Sequence, residues 1–143
     1  MEEKEHNTKE SPVKRPPLLT LLCILTFIGS GLGVAGFLAA SVNYEQTMEV
    51  FRLLYADMPE AAFLLNAPRD FFIISLILSA LSLAGALLMW NLRKTGFHVY
   101  TSAQIINLVV PLIYFGGETN PVLNIMITAL FVYLYARNLR YMH

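Results

Sequence analysis

Charge, cysteine and histidine are all scarce in this sequence, and each shortage excludes a class of protein. Only 14% of the 143 residues are charged and 56% are hydrophobic, whereas a soluble domain has roughly 25% charged and 45–50% apolar residues. The single cysteine excludes an internal disulfide, and three widely separated histidines offer no metal-ligand cluster. The net charge is zero, so the chain lacks the excess of basic residues that is typical of a nucleic-acid-binding protein. We therefore expect a membrane protein with no cofactor, metal or nucleic-acid partner.

Four long stretches of the chain contain no charged residue. Asp, Glu, Lys and Arg are absent from residues 18–44, 71–92, 95–117 and 119–136. Each stretch has about 18 residues or more, which at a helical rise of ~1.5 Å per residue is enough to cross a hydrocarbon core of ~30 Å. The sequence therefore predicts four transmembrane helices. Their predicted limits are residues 17–41, 70–92, 97–115 and 120–139.

The rest of the chain is assigned to a tail, a loop and turns. The prediction places a disordered cytoplasmic tail at residues 1–16, an outer loop at 42–69 and a cytoplasmic C-terminus at 140–143. Tight turns join the remaining spans, and Gly96 is expected to end the second span in the left-handed conformation. The predicted fold is an all-α membrane protein: a four-helix antiparallel bundle with an amphipathic helix in its extracytoplasmic loop.

Basic residues flank the predicted spans unevenly. Eight Lys and Arg residues lie in the tail, the turn after the second span and the C-terminal segment, whereas the outer side has only Arg52 and Arg69. Because Lys and Arg near span ends are held in the cytoplasm, we expect both termini to be cytoplasmic. An alternative role for the inner basic residues is the attraction of anionic lipid. Those residues are Lys14, Arg15, Arg93, Lys94, Arg137 and Arg140.

Small residues share one face of the first span. Gly29, Gly33 and Gly36 are separated by four and three residues, and residues at these spacings lie on the same side of a helix. Lipid provides no hydrophobic force between helices, so small side chains that permit close backbone approach mark packing surfaces. We call these three residues the glycine groove and expect it to pack within the bundle or against a neighbouring chain.

Uncharged polar residues recur at similar spacings in the other three spans. In one hypothesis they bond across helices, each bond contributing ~0.6–2 kcal/mol. In the other, Pro111 frees a backbone carbonyl near Asn107 and the residues line a path or binding site for a small solute. The first is preferred, because no charge inside a span is available to couple transport to ions. We call this set the polar seam: Ser75, Ser79, Ser82, Gln104, Asn107, Asn124 and Thr128.

The outer loop has the pattern of an amphipathic helix. Met48, Phe51 and Tyr55 fall on one helical face, with charged residues on the other. A lid over the bundle and a docking surface for a partner are equally compatible with this apolar face.

Three segments resemble a family of small, uncharacterised four-span bacterial membrane proteins. They are PLLTLLCILTFIGSG at residues 17–31, MWNLRKTGFHVYTSAQI at 89–105 and ALFVYLYARNLRYM at 129–142. The resemblance implies a multi-pass protein of the inner membrane. It implies no particular activity for this chain.

Three classes of function are weighed for such a chain. An enzyme is not expected, because no nucleophile, acid and base converge. A channel or transporter component needs a wet path, which only Gln104 and Asn107 support. We expect a structural or accessory subunit that acts by association with lipid, with a second copy or with another membrane protein; a small-solute channel or transporter component using the polar seam is the alternative.

Overall fold

The computed structural model describes residues 14–143, and most of them are helical. Within this range there is no β-strand. Short 3₁₀ helices cover Pro59–Asn66, Gly116–Glu118 and Leu139–Tyr141. The five α-helices are α1 (Pro17–Val42), α2 (Tyr44–Tyr55), α3 (Arg69–Trp90), α4 (Lys94–Phe115) and α5 (Val122–Asn138).

Four of these helices are long and apolar enough to cross a membrane. They are α1, α3, α4 and α5 continued through its last 3₁₀ turn to Tyr141. The described chain is thus all-helical with four candidate membrane spans, which is compatible with a multi-pass membrane protein. The predicted tail at residues 1–16 lies largely outside the described residues.

The turn between α3 and α4 differs from the prediction. Leu92, and not Gly96, adopts the positive φ angle in this turn, at 59°. Gly96 lies in the first turn of α4, which begins at Lys94 and so extends three residues before the predicted span. The reversal is closed by the Arg93 N–H, which donates to the Leu88 carbonyl over 3.0 Å.

Gly96 is needed for packing instead. A methyl group in place of its hydrogen would lie 2.6 Å from the backbone nitrogen of Met89. A methyl group at Gly85 would lie 2.8 Å from the backbone nitrogen of Tyr100. Real Cβ atoms essentially never come this close to backbone atoms, so the two glycines allow α3 and α4 to touch backbone to backbone. The expectation that Gly96 serves as a helix-ending residue is therefore wrong.

Two clusters of buried apolar side chains lie toward opposite ends of the helices. We call the end with the α3–α4 turn, the start of α1 and residue 143 the turn end, and the end with α2 and residues 116–121 the loop end. The turn-end cluster includes Leu19, Leu22, Cys23, Met89, Tyr100, Tyr135 and Met142. The loop-end cluster includes Ala40, Met48, Ala67, Phe71, Phe72, Leu78 and Val110.

Backbone hydrogen bonds tie residue 143 to the α3–α4 turn. The His143 N–H donates to the Leu92 carbonyl over 2.8 Å, and the Lys94 N–H donates to the His143 carbonyl over 3.0 Å. Met142 is buried in the turn-end cluster beside this pair. The end of the chain after α5 is therefore fastened to α3 and α4.

Helix α5 is packed at one of its ends only. Tyr135 and Asn138 are buried, whereas Leu123 and Met126 are 67% and 64% exposed. The other helices therefore cover little of the first half of α5, and space is left between α5 and α1, α3 and α4. That space positions the candidate site.

Candidate functional site

Two adjoining cavities lie between α1, α3, α4 and α5. The one nearer the turn end, which we call the deep cavity for its position, has a volume of about 290 Å³ and is the more open of the two. The mouth cavity, which reaches the loop end, has a volume of about 640 Å³. Both are lined by Gln104 and Asn107 of α4 and by Thr128 of α5, and by the apolar Phe37 and Ile127. Because they share these walls, the cavities meet halfway along α4.

All seven residues of the polar seam line these cavities. Ser79 and Ser82 line the deep cavity, and Ser75 and Asn124 line the mouth cavity. The remaining three, Gln104, Asn107 and Thr128, border both. The spacing in the sequence identified the polar faces, and the structure turns all three faces toward one space.

Few of these polar groups bond to each other. The Gln104 Nε2 donates to the Ser82 hydroxyl over 3.3 Å, and this is the one seam-to-seam hydrogen bond within residues 14–143. The side-chain amides of Asn107 and Asn124 have no hydrogen-bond partner in the same range, and both residues are exposed. The cavity wall therefore offers free donors and acceptors instead of a fully paired network.

The lining carries almost no charge. Of the described residues that line the two cavities, Glu60 alone is charged, and it lies in the 3₁₀ helix at the loop end. Phenylalanine rings supply the apolar wall of the mouth, among them Phe51, Phe71 and Phe72. Moving an ion out of water without a counter-charge is costly. The cavity is therefore suited to a neutral molecule with polar and apolar parts.

Thr26 lines the floor of the deep cavity and pairs with a tyrosine hydroxyl behind it. The Oγ1 of Thr26 on α1 and the hydroxyl oxygen of Tyr135 on α5 are 2.7 Å apart. Tyr135 is fully buried and its ring centroid lies 5.0 Å from that of Tyr100. Tyr135 and Tyr100 belong to the turn-end cluster, which therefore borders the cavity on that side.

The three glycines of the glycine groove have different surroundings. A methyl group at Gly33 would lie 2.9 Å from the Ser79 hydroxyl oxygen, so α1 and α3 approach closely there. Nothing lies within 4 Å of a methyl group at Gly29 or Gly36, and Gly29 lines the deep cavity. The tightest glycine contact is instead the one between α3 and α4 described above. The sequence signal for the α3–α4 contact was the presence of Gly85 and Gly96 on either side of a tight turn.

The residues proposed as a partner surface on α2 pack on the bundle. Met48 is only 7% exposed and belongs to the loop-end cluster. The ring centroid of Phe51 lies 6.2 Å from that of Phe72 and 5.6 Å from that of Tyr55. Phe51 also lines the mouth cavity. This face of α2 therefore forms part of the wall of the site.

A second apolar face of α2 was missed by the sequence reasoning. Leu53 is 79% exposed, and Val50 and Leu54 are exposed beside it. Their spacing of three and four residues was visible in the sequence, but the helical face that they form was given no role.

Comparison of the chain with protein-family models, with curated proteins and with solved structures found no match in any of the three. Function is therefore inferred from the cavity and the surfaces alone.

Proposed function

We propose that this chain is a multi-pass membrane protein that holds a small, uncharged polar solute in the space between its helices, as a component of a channel or transporter. The observation that carries the proposal is the pair of meeting cavities lined by all seven seam residues. If the seam residues served only to bond across helices, their polar groups would be paired. The Asn107 amide instead has no partner within residues 14–143 and borders both cavities. This favours the alternative over the accessory subunit that the sequence alone led us to expect.

The proposed setting is the inner membrane, with the helices as an antiparallel bundle and both termini in the cytoplasm. The turn-end location of Lys14, Arg93 and Lys94 supports this orientation through the preference of basic residues for the cytoplasmic side. Helix α2 would then lie outside as an amphipathic loop helix. The mouth cavity would open toward the outer side and the floor at Thr26 and Tyr135 would face the cytoplasm.

The solute class follows from the chemistry of the wall. Amide and hydroxyl groups from Asn107, Asn124 and Thr128 both donate and accept hydrogen bonds, and the phenylalanine rings cover apolar surface. The cavity volumes fall within the roughly 300–1,000 Å³ typical of small-molecule sites. Polyols and neutral amides fit this description. Since no charge lies in the walls of the deep cavity, movement of the solute would follow its own concentration gradient.

The test compares Asn107→Leu with Ile106→Leu in lipid nanodiscs. Thermal unfolding is followed with neutral polyols and amides, and with charged analogues of the same size. A ligand that binds only the folded state raises its stability, so we expect a neutral solute to raise the melting temperature of the parent protein and of Ile106→Leu. The effect should disappear in Asn107→Leu.

General stabilisation by excluded osmolytes acts on all three proteins alike, so only the difference between variants counts. The proposal fails if every neutral solute acts equally on the parent protein and on Asn107→Leu. It also fails if the charged analogues stabilise the parent protein as strongly as the neutral ones.

An accessory subunit is retained as a second candidate because of the exposed first half of α5. Leu123, Met126 and Leu130 leave more than half of their surface uncovered by the described residues. A partner helix or a second copy would cover them. A photocrosslinker at Met126 that captures a protein, compared with one at Leu32 on α1, would support this function, whereas adducts with lipid alone at both positions would oppose it.

A further inference from the structure

The turn end of the described chain carries positive charge without negative charge. Every Asp and Glu from residue 14 onward lies in residues 45–70 or at residue 118, at the loop end. The six basic residues that the sequence analysis assigned to the inner side all lie at the turn end. The bonds between residue 143 and the α3–α4 turn bring Arg140 to the same end as Arg93 and Lys94. Anions are therefore attracted to this end.

Two of these cations are held against aromatic rings: Arg140, whose guanidinium carbon lies 4.7 Å from the centroid of the Tyr141 ring, and Arg15, which makes the closer contact. Its guanidinium carbon lies 3.9 Å from the centroid of the Trp90 ring. The Trp90 ring is supported from the side by Phe27, whose centroid is 5.5 Å away. A cation over an indole face is attracted by the ring's quadrupole. The guanidinium is thus positioned before any ligand arrives.

One polar atom of Arg15, its Nε, is buried and lacks a hydrogen-bond partner among residues 14–143. A buried donor without a partner is unfavourable, and its partner is usually found in protein, water or a ligand. The planar guanidinium matches two oxygens of a phosphate group. Arg15 is only partly buried, so the outer nitrogens of its guanidinium are the ones that a phosphate would meet.

The surroundings of Arg15 favour a phosphate attached to a lipid over a free one. Pro16 and Pro17 follow directly, and α1 then enters its apolar span. Leu18 and Leu21 in the first turns of α1 are exposed, so acyl chains would have apolar surface to cover next to the start of this helix. Trp90 ends α3, and tryptophan at the end of a span lies at the level of lipid headgroups.

We infer that the turn end is a binding site for the phosphate of an anionic phospholipid, with Arg15 on Trp90 as the main contact and the other basic residues as a supporting field. This site is separate from the polar cavity, and it does not depend on the proposed solute.

Trp90 is the single tryptophan of the chain, so its fluorescence reports on this site. The full-length protein is reconstituted into phosphatidylcholine vesicles that contain either phosphatidylglycerol or phosphatidylcholine with brominated acyl chains, at equal mole fraction. Bromine quenches tryptophan on contact. We expect phosphatidylglycerol to bind beside Trp90 about fivefold more strongly than phosphatidylcholine, which is the preference conferred by one basic residue near an anionic surface.

Three variants distinguish a specific site from general electrostatic attraction. Arg15→Gln should lower the preference to about one, while Lys14→Gln, which removes the same charge one residue earlier, should leave most of it. Arg15→Lys should retain only part, because the charge remains and the planar fork is lost. Equal quenching by brominated phosphatidylcholine in all variants would confirm that Trp90 stays at the same depth and the protein stays folded.

The inference is overturned if Arg15→Gln and Lys14→Gln lower the preference equally, because the effect would then be diffuse charge. It is also overturned if the parent protein shows no preference. Inorganic phosphate in the aqueous phase is the third arm. If it removes the preference at millimolar concentration, the source is free phosphate and the assignment to a lipid is wrong.

Discussion

The turn end and the loop end of the bundle differ in how closely their helices approach. At the turn end, Gly85 and Gly96 let α3 and α4 touch, and Tyr135 is buried against Thr26 of α1. At the loop end, the first half of α5 is exposed and a cavity of about 640 Å³ separates it from its neighbours. The helices are in close contact at one end, and at the other they leave an open space beside α5.

The comparison shows that similar composition can serve opposite purposes within one bundle. Both ends use hydroxyl groups and aromatic rings. At the turn end the Thr26 and Tyr135 hydroxyls satisfy each other, whereas Asn107 and Asn124, toward the loop end, have no partner within residues 14–143. A satisfied polar group stabilises a membrane bundle, and an unsatisfied one is available to a ligand.

The largest expected effect concerns which side of the membrane each end faces. A reporter fused after Gly117 and one fused after His143 should give opposite compartments, because these positions lie at opposite ends of α5, a candidate span. Alkaline phosphatase and fluorescent-protein fusions measure this directly. The same compartment for both would contradict the bundle topology.

The next largest effect is expected at the closest helix contact. Gly96→Ala should lower the free energy of unfolding by about 1–3 kcal/mol, the usual cost of overpacking a core, because its methyl group would meet the Met89 backbone. Gly36→Ala is the control, since nothing lies within 4 Å of its added methyl group. Unfolding in bicelles measures both variants. Equal losses for the two would show that the turn end is not the tighter one.

A smaller loss is expected when the floor of the cavity loses its hydrogen bond. Tyr135→Phe should lower the free energy of unfolding by ~0.6–2 kcal/mol, the range for a bond between membrane helices. Thr26→Val should cost a similar amount, and the double variant should cost less than the sum. Strictly additive losses would argue against a direct bond between the two hydroxyl groups.

The smallest effect on stability is expected at the open cavity. Asn107→Leu should change the free energy of unfolding by less than Tyr135→Phe does, because the amide has no protein partner to lose. Gln104→Leu is the informative comparison, since it removes the bond to Ser82 and should cost on the order of 0.6 kcal/mol. A larger loss of unfolding free energy for Asn107→Leu than for Gln104→Leu would favour the hypothesis that the seam residues bond across helices.

Much of the fold could be predicted because its main signals are local. An uncharged apolar run of about 18 residues or more is long enough to span a bilayer whatever the rest of the chain does. The four such runs of this chain form α1, α3, α4 and α5. The polar faces of α3, α4 and α5 were likewise visible, because residues three and four apart share one side of a helix. The prediction for Gly96 was wrong because a glycine near a turn serves either conformation or packing, and the local sequence does not separate the two.

The sequence by itself determined which segments are apolar helices, which helix faces are polar and on which end the charges gather, because each of these depends on neighbours along one helix or on composition. Only the tertiary structure decided that the seam residues border an open cavity instead of bonding to each other, that Tyr135 meets Thr26, and that Arg15 rests on Trp90. These depend on how far one helix stands from the next. That distance is decided by contacts between residues distant in the chain, such as Gly85 with Gly96 and residue 143 with Leu92.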